Sequence, residues 1–309
     1  MADRIIVPRF RVGTMSIAFC VDRVDQLSPD EFVEGYVRLR RPVVISGGLK
    51  KCVAFVSWNL DYLRRRAGDR NVVLKKWGPS GICLDHSRLR DYVDALEAYE
   101  SRGNSAIAQQ PAYLHDVPLT SILPDAGADL RGFPANFFPL WYGVEWPTFA
   151  QLFLGPSGSV TPLHFDCLLT HNLFFQVAGR KKFTLLPREQ IKYCYPYNWR
   201  WCEIDVEKPD YNRYPLYRLA NPTEVVVEPG DVLYMPPGTL HHVRSLDCAL
   251  SFNVDWHTKD SALRGALSFL RGMPTKNIYY NMIVAFGLWS GASTKRLLPY
   301  YRSYLNYVS

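Results

Sequence analysis

Between residues 149 and 257 the chain consists of short apolar runs separated by turn residues, and this pattern constrains the fold more than any other feature. The runs are four to six residues long, and glycine, proline or aspartate lies between them. Segments of this length and punctuation are typical of strands rather than helices. The pattern predicts an all-β core of the sandwich or jelly-roll type. The runs are 149–154, 173–177, 183–186, 224–227, 232–235 and 249–254.

The flanking segments add helices to this core. Residues 1–148 mix helices and strands: Ser28-Pro29-Asp30-Glu31 is a helix start with a capping serine, residues 59–67 and 87–100 are predicted helices, and residues 41–45 and 71–74 are predicted strands. Residues 260–309 return to a helical pattern. We therefore expect an N-terminal α/β elaboration (1–148), a β core (149–257) and a C-terminal helical region (258–309).

Bulk composition indicates an ordinary globular protein. Of the 309 residues, 48% are hydrophobic and 21% are charged, which is enough apolar material for a large core. The seven cysteines form no CxxC pair, so we expect neither a disulfide framework nor a zinc site, and a reducing compartment, cytoplasmic or else nuclear. The N-terminal residues lack the apolar segment of a signal peptide, and residues 283–289 are too few to span a bilayer. No membrane partner is expected.

The formal net charge of +7 bears on partners. A basic surface attracts RNA or an acidic peptide, but a solvated cationic surface is the more common reason for such a value. The clusters at 64–66, 75–76 and 180–182 are short, and none is interleaved with aromatic residues. RNA is therefore a less favoured partner than a protein, peptide or small molecule.

Three residues form a candidate metal site. His164 and Asp166 are two positions apart, and a regular strand would direct both side chains to one face. A further histidine, His241 or the adjacent His242, lies about 75 residues beyond Asp166 and follows a glycine turn and a strand. Two imidazoles and one carboxylate form the facial triad of non-haem Fe(II) oxygenases. The remaining histidines lack this context and are interpreted as structural or surface residues: His86, His115, His171 and His257.

Taken together, the motifs resemble those of the JmjC-domain (cupin-8-like) hydroxylases, a branch of the Fe(II)/2-oxoglutarate oxygenases, and the resemblance covers nearly the whole chain. It is similar in part to the asparaginyl hydroxylase branch of the hypoxia pathway. The matching motifs include Thr161-Pro162-Leu163-His164-Phe165-Asp166, residues 176–187, 195–197 and 205–215, Pro229-Gly230-Asp231 with the run to His241, residues 251–256, residues 41–45, and Tyr113-Leu114. The fold that this resemblance implies is a double-stranded β-helix.

The resemblance also implies roles for individual residues. The iron ligands that it implies are His164, Asp166 and His241, because the family's ligand is the first histidine after the Pro-Pro-Gly-x-x element. Lys181 would hold the 2-oxoglutarate C5 carboxylate, although spacing alone favours an exposed turn lysine. The other implied co-substrate residues are Thr161, Tyr113, Asn253, and Asn172 or Thr170.

Two departures affect these assignments. The segment between Asp166 and Lys181 is two residues longer than in the asparaginyl hydroxylase branch, which makes Thr170 and Asn172 alternatives for one role. Thr239-Leu240 replaces the Trp-Trp or Tyr-Trp that many relatives carry before the ligand histidine. Both changes lie where substrate specificity would be determined.

The implied function is a dioxygenase that hydroxylates a C–H bond of a protein, peptide or amino-acid-like substrate. It would use Fe(II), 2-oxoglutarate and O2, with ascorbate as the reductant in vitro, and release succinate and CO2. The alternatives are an N-methyl-lysine demethylase, a tRNA-base hydroxylase and a non-catalytic cupin that binds without reacting. The apolar C-terminal helices favour a homodimer.

Overall fold

A computed structural model of the chain describes residues 19–78, 81–102, 109–293, 296–297 and 299–300. The strands in this part are β1 (Asp22–Val24), β2 (Val43–Ile45), β3 (Asn71–Gly78), β4 (Gly81–Arg88), β5 (Leu114–Pro118), β6 (Gln151–Gly155), β7 (Val160–His164), β8 (His171–Ala178), β9 (Lys181–Leu186), β10 (Pro196–Tyr197), β11 (Trp201–Cys202), β12 (Thr223–Val227), β13 (Val232–Met235), β14 (Leu240–Ser245) and β15 (Ala249–Trp256).

Helices flank these strands. The α-helices are α1 (Pro29–Phe32), α2 (Val53–Ser57), α3 (Leu60–Ala67), α4 (Leu89–Ser101), α5 (Leu119–Ile122), α6 (Ala126–Leu130), α7 (Lys259–Leu267) and α8 (Thr275–Ser290). A π-helical turn covers Val33–Val37, and 3-10 helices cover Ala135–Phe137, Gly143–Phe149, Arg188–Tyr193, Pro215–Leu219 and Ser268–Arg271.

Two sheets form the core. The larger sheet has the order β1-β2-β13-β8-β15-β6-β5, and the smaller has the order β10-β11-β7-β14-β9-β12. Strands distant in sequence are neighbours within both sheets, as in a jelly roll. Apolar side chains from both sheets share one core cluster, with Phe174 and Leu233 from the larger sheet and Phe183 and Val227 from the smaller. The predicted double-stranded β-helix with added helices is confirmed.

Five of the six apolar runs of the sequence fall within strands, namely β8, β9, β12, β13 and β15. The first run, 149–154, enters β6 only at Gln151, because Phe149 ends a 3-10 helix. No sequence pattern predicts strand β4, and the predicted helix starts within it, at residue 87. Residues 87–88 extend the β3–β4 hairpin instead, where Asn71 pairs with Arg88. The helix α4 therefore starts at Leu89, after the extended backbone of Arg88.

The N-terminal region supplies strands to the larger sheet. β2 pairs with β13, β1 pairs with β2, and β5 pairs with β6. Ser28 and Glu31 form the reciprocal capping box that the sequence predicts for α1. These pairings place Tyr113, just before β5, against the interior of the β core.

The C-terminal helices pack against the main apolar core. Ala262 and Ala266 of α7 and Val284 and Ala285 of α8 belong to the main apolar cluster. Residues 301–309 of the predicted helical tail lie outside the described residues, as do the N-terminal residues considered for a signal peptide. In the part of the chain that the structure describes, no helix combines the length and hydropathy that a membrane span requires.

Candidate metal and co-substrate site

Two neighbouring strands bring the candidate histidines together. β7 and β14 are antiparallel, and His164 at the end of β7 is the register partner of His241 near the start of β14. The centroids of the two imidazole rings lie 4.2 Å apart. The pairing of β7 with β14 thus brings together two histidines that are 77 positions apart in the sequence.

Asp166 also lies beside the two histidines, but on a turn and not on the strand that the sequence predicts. The strand ends at His164, so Asp166 does not share a regular strand with it. Asp166 begins a turn in which the Leu169 amide donates to its carbonyl over 2.9 Å, and Leu169 has a φ of 63°. The turn, rather than strand alternation, directs the carboxylate towards the two histidines.

The three side chains fit a metal ion. One ligand atom from each of His164, Asp166 and His241 lies within 4.8 Å of the others, and this is the one such group found among the described residues. The Nδ1 atoms of both histidines face backbone carbonyls, those of Pro162 at 2.7 Å and Thr239 at 3.1 Å. A carbonyl only accepts, so each Nδ1 carries the proton and each Nε2 keeps a lone pair for a metal.

Burial also favours the neutral form of the His164 imidazole, which is the form that binds a metal. Burial, followed by the nearby His241, holds the pKa of His164 well below its usual value. The imidazole is therefore neutral at physiological pH, which is the form that coordinates a cation.

The structure shows which of the two adjacent histidines, His241 or His242, belongs to the site. Because side chains alternate along β14, His242 faces away from the triad and towards Glu207. Burial lowers the pKa of His242, and the nearby charge of Glu207 opposes this effect. His241 lines the pocket that contains His164 and Asp166, whereas His242 does not.

A buried ammonium lies in the same pocket. The Lys181 side chain is 1% exposed, and its Nζ donates hydrogen bonds to Tyr113 Oη at 2.6 Å and Ser251 Oγ at 2.8 Å. Its Nζ also lies 5.4 Å and 5.0 Å from the ring centroids of Phe153 and Phe174. Among the described residues no carboxylate forms an ion pair with it. The expectation of an exposed turn lysine is wrong, because β9 begins at Lys181 and pairs with β12 and β14 on its two sides.

Burial lowers the pKa of Lys181 to about 7. Two neutral hydroxyls only partly replace the hydration that an ammonium loses on burial. An anionic ligand in the pocket would therefore stabilise the charged form.

The remaining predicted co-substrate residues line the same pocket: Thr161, Tyr113, Thr170, Asn172 and Asn253. Three of their polar atoms are buried and make no hydrogen bond among the described residues, namely Thr170 Oγ1, Asn172 Oδ1 and Asn253 Oδ1. Asn172 Nδ2 lies 3.3 Å from Asp166 Oδ2 and donates to it, so Asn172 orients the candidate metal ligand. The pocket therefore contains a cation, a metal triad and unpaired polar groups. This arrangement fits a dicarboxylate bound to a metal.

Several pocket residues were not identified from the sequence. Ser251, which accepts a hydrogen bond from Lys181 behind the pocket lining, was missed as well. It lies two positions before Asn253 on β15, so strand alternation gives both the same face, and that was the available signal. His115, interpreted as structural or surface, is half-buried and lines the pocket with Asp116 and Arg200. Asp116 has a φ of 60° at a register shift between β5 and β6, which no sequence pattern indicates.

The aromatic stretches also take different positions. In the run from Phe137 to Tyr142, Phe137, Phe138 and Tyr142 are buried in the core, whereas Leu140 is 99% exposed. From the stretch Asn198-Trp199-Arg200-Trp201, the Trp201 ring packs 4.8 Å from the ring of His164. The second stretch therefore borders the site and the first supports the fold.

Comparison with known proteins gives a consistent result. The family described as Cupin-like domain matches residues 29–262. The lysine-specific demethylase JMJ30 of Arabidopsis thaliana is 31% identical over 76% of this chain and 54% of its own length. The 2-oxoglutarate and iron-dependent oxygenase JMJD4 of Gallus gallus is 25% identical over 76% of this chain and 59% of its own. The tRNA wybutosine-synthesizing protein 5 of Gallus gallus is 26% identical over 76% of each. The chain spans little more than half the length of the first two.

We predict that the two adjacent histidines respond differently to substitution. His241→Ala removes one of three ligands and should abolish stoichiometric Fe(II) binding, measured as metal content after anaerobic reconstitution and desalting. His242→Ala, the matched control on the same strand, should retain close to one equivalent of iron. Equal retention by both variants would contradict the assignment of His241.

Proposed function

Because this chain belongs to the Cupin-like, JmjC-domain family of Fe(II)- and 2-oxoglutarate-dependent oxygenases, we propose that it hydroxylates a C–H bond of a protein, peptide or amino-acid-like substrate. The observation that carries the proposal is the buried Lys181, which shares one pocket with His164, Asp166 and His241. A metal triad alone would fit many cupins. The added cation selects a co-substrate with a distal carboxylate.

Each group in the pocket has a role in this proposal. His164, Asp166 and His241 would hold Fe(II), and iron with 2-oxoglutarate and O2 would supply the oxidising chemistry, releasing succinate and CO2. Lys181 and Tyr113 would bind the C5 carboxylate.

The other pocket residues would position and shield the reactants. Thr161, Asn253 and either Thr170 or Asn172 would offer polar atoms to the co-substrate. Asn172 also orients Asp166. Phe153, Phe174 and Phe183 line the pocket and exclude water.

Three other functions are ranked below hydroxylation of such a substrate. An N-methyl-lysine demethylase would use the same residues, and relatives carry that name. A tRNA-base hydroxylase is supported by the wybutosine-synthesizing relative. A non-catalytic cupin is the least favoured, because the full ligand set and the buried lysine are all present. Thr239-Leu240 and the residues after Asp166 depart from the family pattern at positions that would determine substrate specificity. The substrate of the relatives therefore does not transfer directly to this chain.

We also propose a homodimer formed through α8. Tyr279, Met282, Phe286 and Trp289 follow helical spacing along one face of α8, and each is more than half exposed. A continuous apolar face of this kind is costly to leave in water. A reducing compartment, cytoplasmic as the first choice, remains a prediction from the cysteine pattern.

Turnover tests the proposed chemistry. Purified protein with Fe(II), ascorbate and 2-oxoglutarate should form succinate, and mass spectrometry of candidate peptides and metabolites should reveal products 16 Da heavier. Lys181→Met should lower succinate formation by at least tenfold because it removes the carboxylate's partner. Lys182→Met is the matched control, since Lys182 points outward to Glu224, and it should retain activity.

Other products would identify the alternatives. Formaldehyde release would identify demethylation, and RNA-dependent stimulation of succinate formation would identify an RNA substrate. Full turnover by Lys181→Met would contradict the assigned co-substrate site.

The lowered pKa of Lys181 predicts proton uptake on co-substrate binding. At pH 8 the free side chain is largely neutral, because its pKa is about 7, and the bound carboxylate requires the ammonium. The dissociation constant for 2-oxoglutarate should therefore rise about tenfold per pH unit above pH 8, with nearly one proton taken up. Calorimetry with Mn(II) in place of iron, in buffers of different ionisation enthalpy, measures both quantities. Lys181→Arg stays charged, and any binding that it retains should lack this pH dependence.

Substitution on α8 tests the dimer. Phe286→Lys places a charge in the centre of the apolar face and should reduce the mass measured by light scattering from about twice the 35.5 kDa chain mass to one chain. Leu140→Lys alters a side chain that is 99% exposed elsewhere and should leave the mass unchanged. A wild-type protein that is monomeric at tens of micromolar would exclude this interface.

A further inference from the structure

Two neighbouring surface cavities lie outside the catalytic pocket and share Arg188, Glu189 and Arg271. Their volumes are about 470 and 710 Å³. The first is also lined by Arg40 and Arg264, and the second by Lys192, Tyr197 and Trp199. We refer to the two cavities together as the arginine groove. Glu189 is the one acidic residue among the described residues that line it.

Arg188 occupies the centre of the groove and has no carboxylate partner among the described residues. Its guanidinium lies 4.1 Å from the ring centroid of Phe165 and 5.5 Å from that of Trp199. Its Nη1 is buried and makes no hydrogen bond to any described residue. Burial, and then the like charge of Arg271, lower the pKa of Arg188 to about 10. A guanidinium held in this way retains hydrogen-bond donor capacity that suits an anion.

The other cations of the groove divide into two groups. Arg40 and Arg264 both form ion pairs with Asp260. Arg271 and Lys192, like Arg188, form no ion pair with the described residues, and both are exposed. Positive charge that lacks an internal partner is therefore spread along the groove rather than concentrated at one point.

Aromatic side chains lie among these cations. Asn198 and Trp199 have φ angles of 44° and 69°, and this strained turn presents Tyr197, which is 43% exposed, beside Lys192 and Arg271. Backbone strain of this kind persists at binding sites more often than elsewhere. The tertiary structure thus interleaves cations and aromatic rings, which the short basic clusters of the sequence do not.

We propose that the arginine groove binds a single-stranded nucleic acid, with a phosphate between Arg188 and Arg271 and a base against Tyr197. A chain of phosphates matches several separated cations, and exposed rings accept bases without sequence preference. One acidic side chain would use a single arginine and no ring. Arg200, which follows the Tyr197–Trp199 turn, lines the catalytic pocket, so one short segment contributes to both the groove and that pocket. This binding does not depend on which substrate the oxygenase modifies.

Fluorescence anisotropy with a labelled twelve-nucleotide oligo(U) tests the proposal on the 309-residue chain. The Arg188→Gln/Arg271→Gln double variant should bind at least tenfold more weakly than the wild type. Each phosphate that a cation neutralises adds about 0.7 to the slope of log K against log salt, so removing both cations should lower its magnitude by about 1.4. Arg65→Gln/Arg70→Gln removes the same charge from exposed positions outside the groove and should change affinity less than twofold.

Further variants separate loss of binding from loss of folding. Arg271→Gln alone alters an exposed residue and should weaken binding at least threefold with an unchanged melting temperature. Arg188→Lys keeps the charge and should restore part of the affinity. Equal binding by the wild type and both double variants would overturn the proposal. Binding of an acidic peptide but not of oligo(U) or oligo(dT) would overturn it as well.

Discussion

The antiparallel pairing of β7 with β14 is the constraint on which the rest of the site depends. It places His241 directly opposite His164 and fixes both rings against backbone carbonyls. A shift of one residue would exchange His241 for His242 and direct the wrong imidazole towards Asp166. The register is secured on the other side of β14, where six consecutive residues pair with β9. The smaller sheet therefore fixes the positions of the two histidines, and the turn after β7 adds Asp166.

The site also depends on a buried positive charge. The interior between the two sheets is apolar, yet it contains the ammonium of Lys181, held by two hydroxyls and three aromatic rings. An unpaired charge in such a place lowers stability, so proteins retain it mainly where it has a function. The same reasoning applies to Arg188 at the surface, where the guanidinium is partly buried beside a second arginine. In both places we propose that the cation binds an anionic ligand: a co-substrate carboxylate at Lys181 and a phosphate at Arg188.

The apolar runs were sufficient to predict six strands and the fold class, because burial on both faces gives a strand a continuous hydrophobic signal. They did not predict β4, whose residues are exposed and carry no such signal. The triad residues were identified by motif, but the position of Asp166 was not, since a turn after β7 determines it. Lys181 looked like a surface lysine because its burial comes from strands that are distant in sequence.

The sequence by itself determined the fold class and the residue types of the site, because strand periodicity and the His-x-Asp motif are local properties of the chain. Only the tertiary structure decided which side chains meet. It selected the face of β14, buried Lys181 beside Ser251, and brought Asp116 and Arg200 to the same pocket. It also joined Arg188 and Arg271, 83 positions apart, in one groove. The physical reason is that burial and the encounter of charges depend on distances across sheets, which no local pattern of residues encodes.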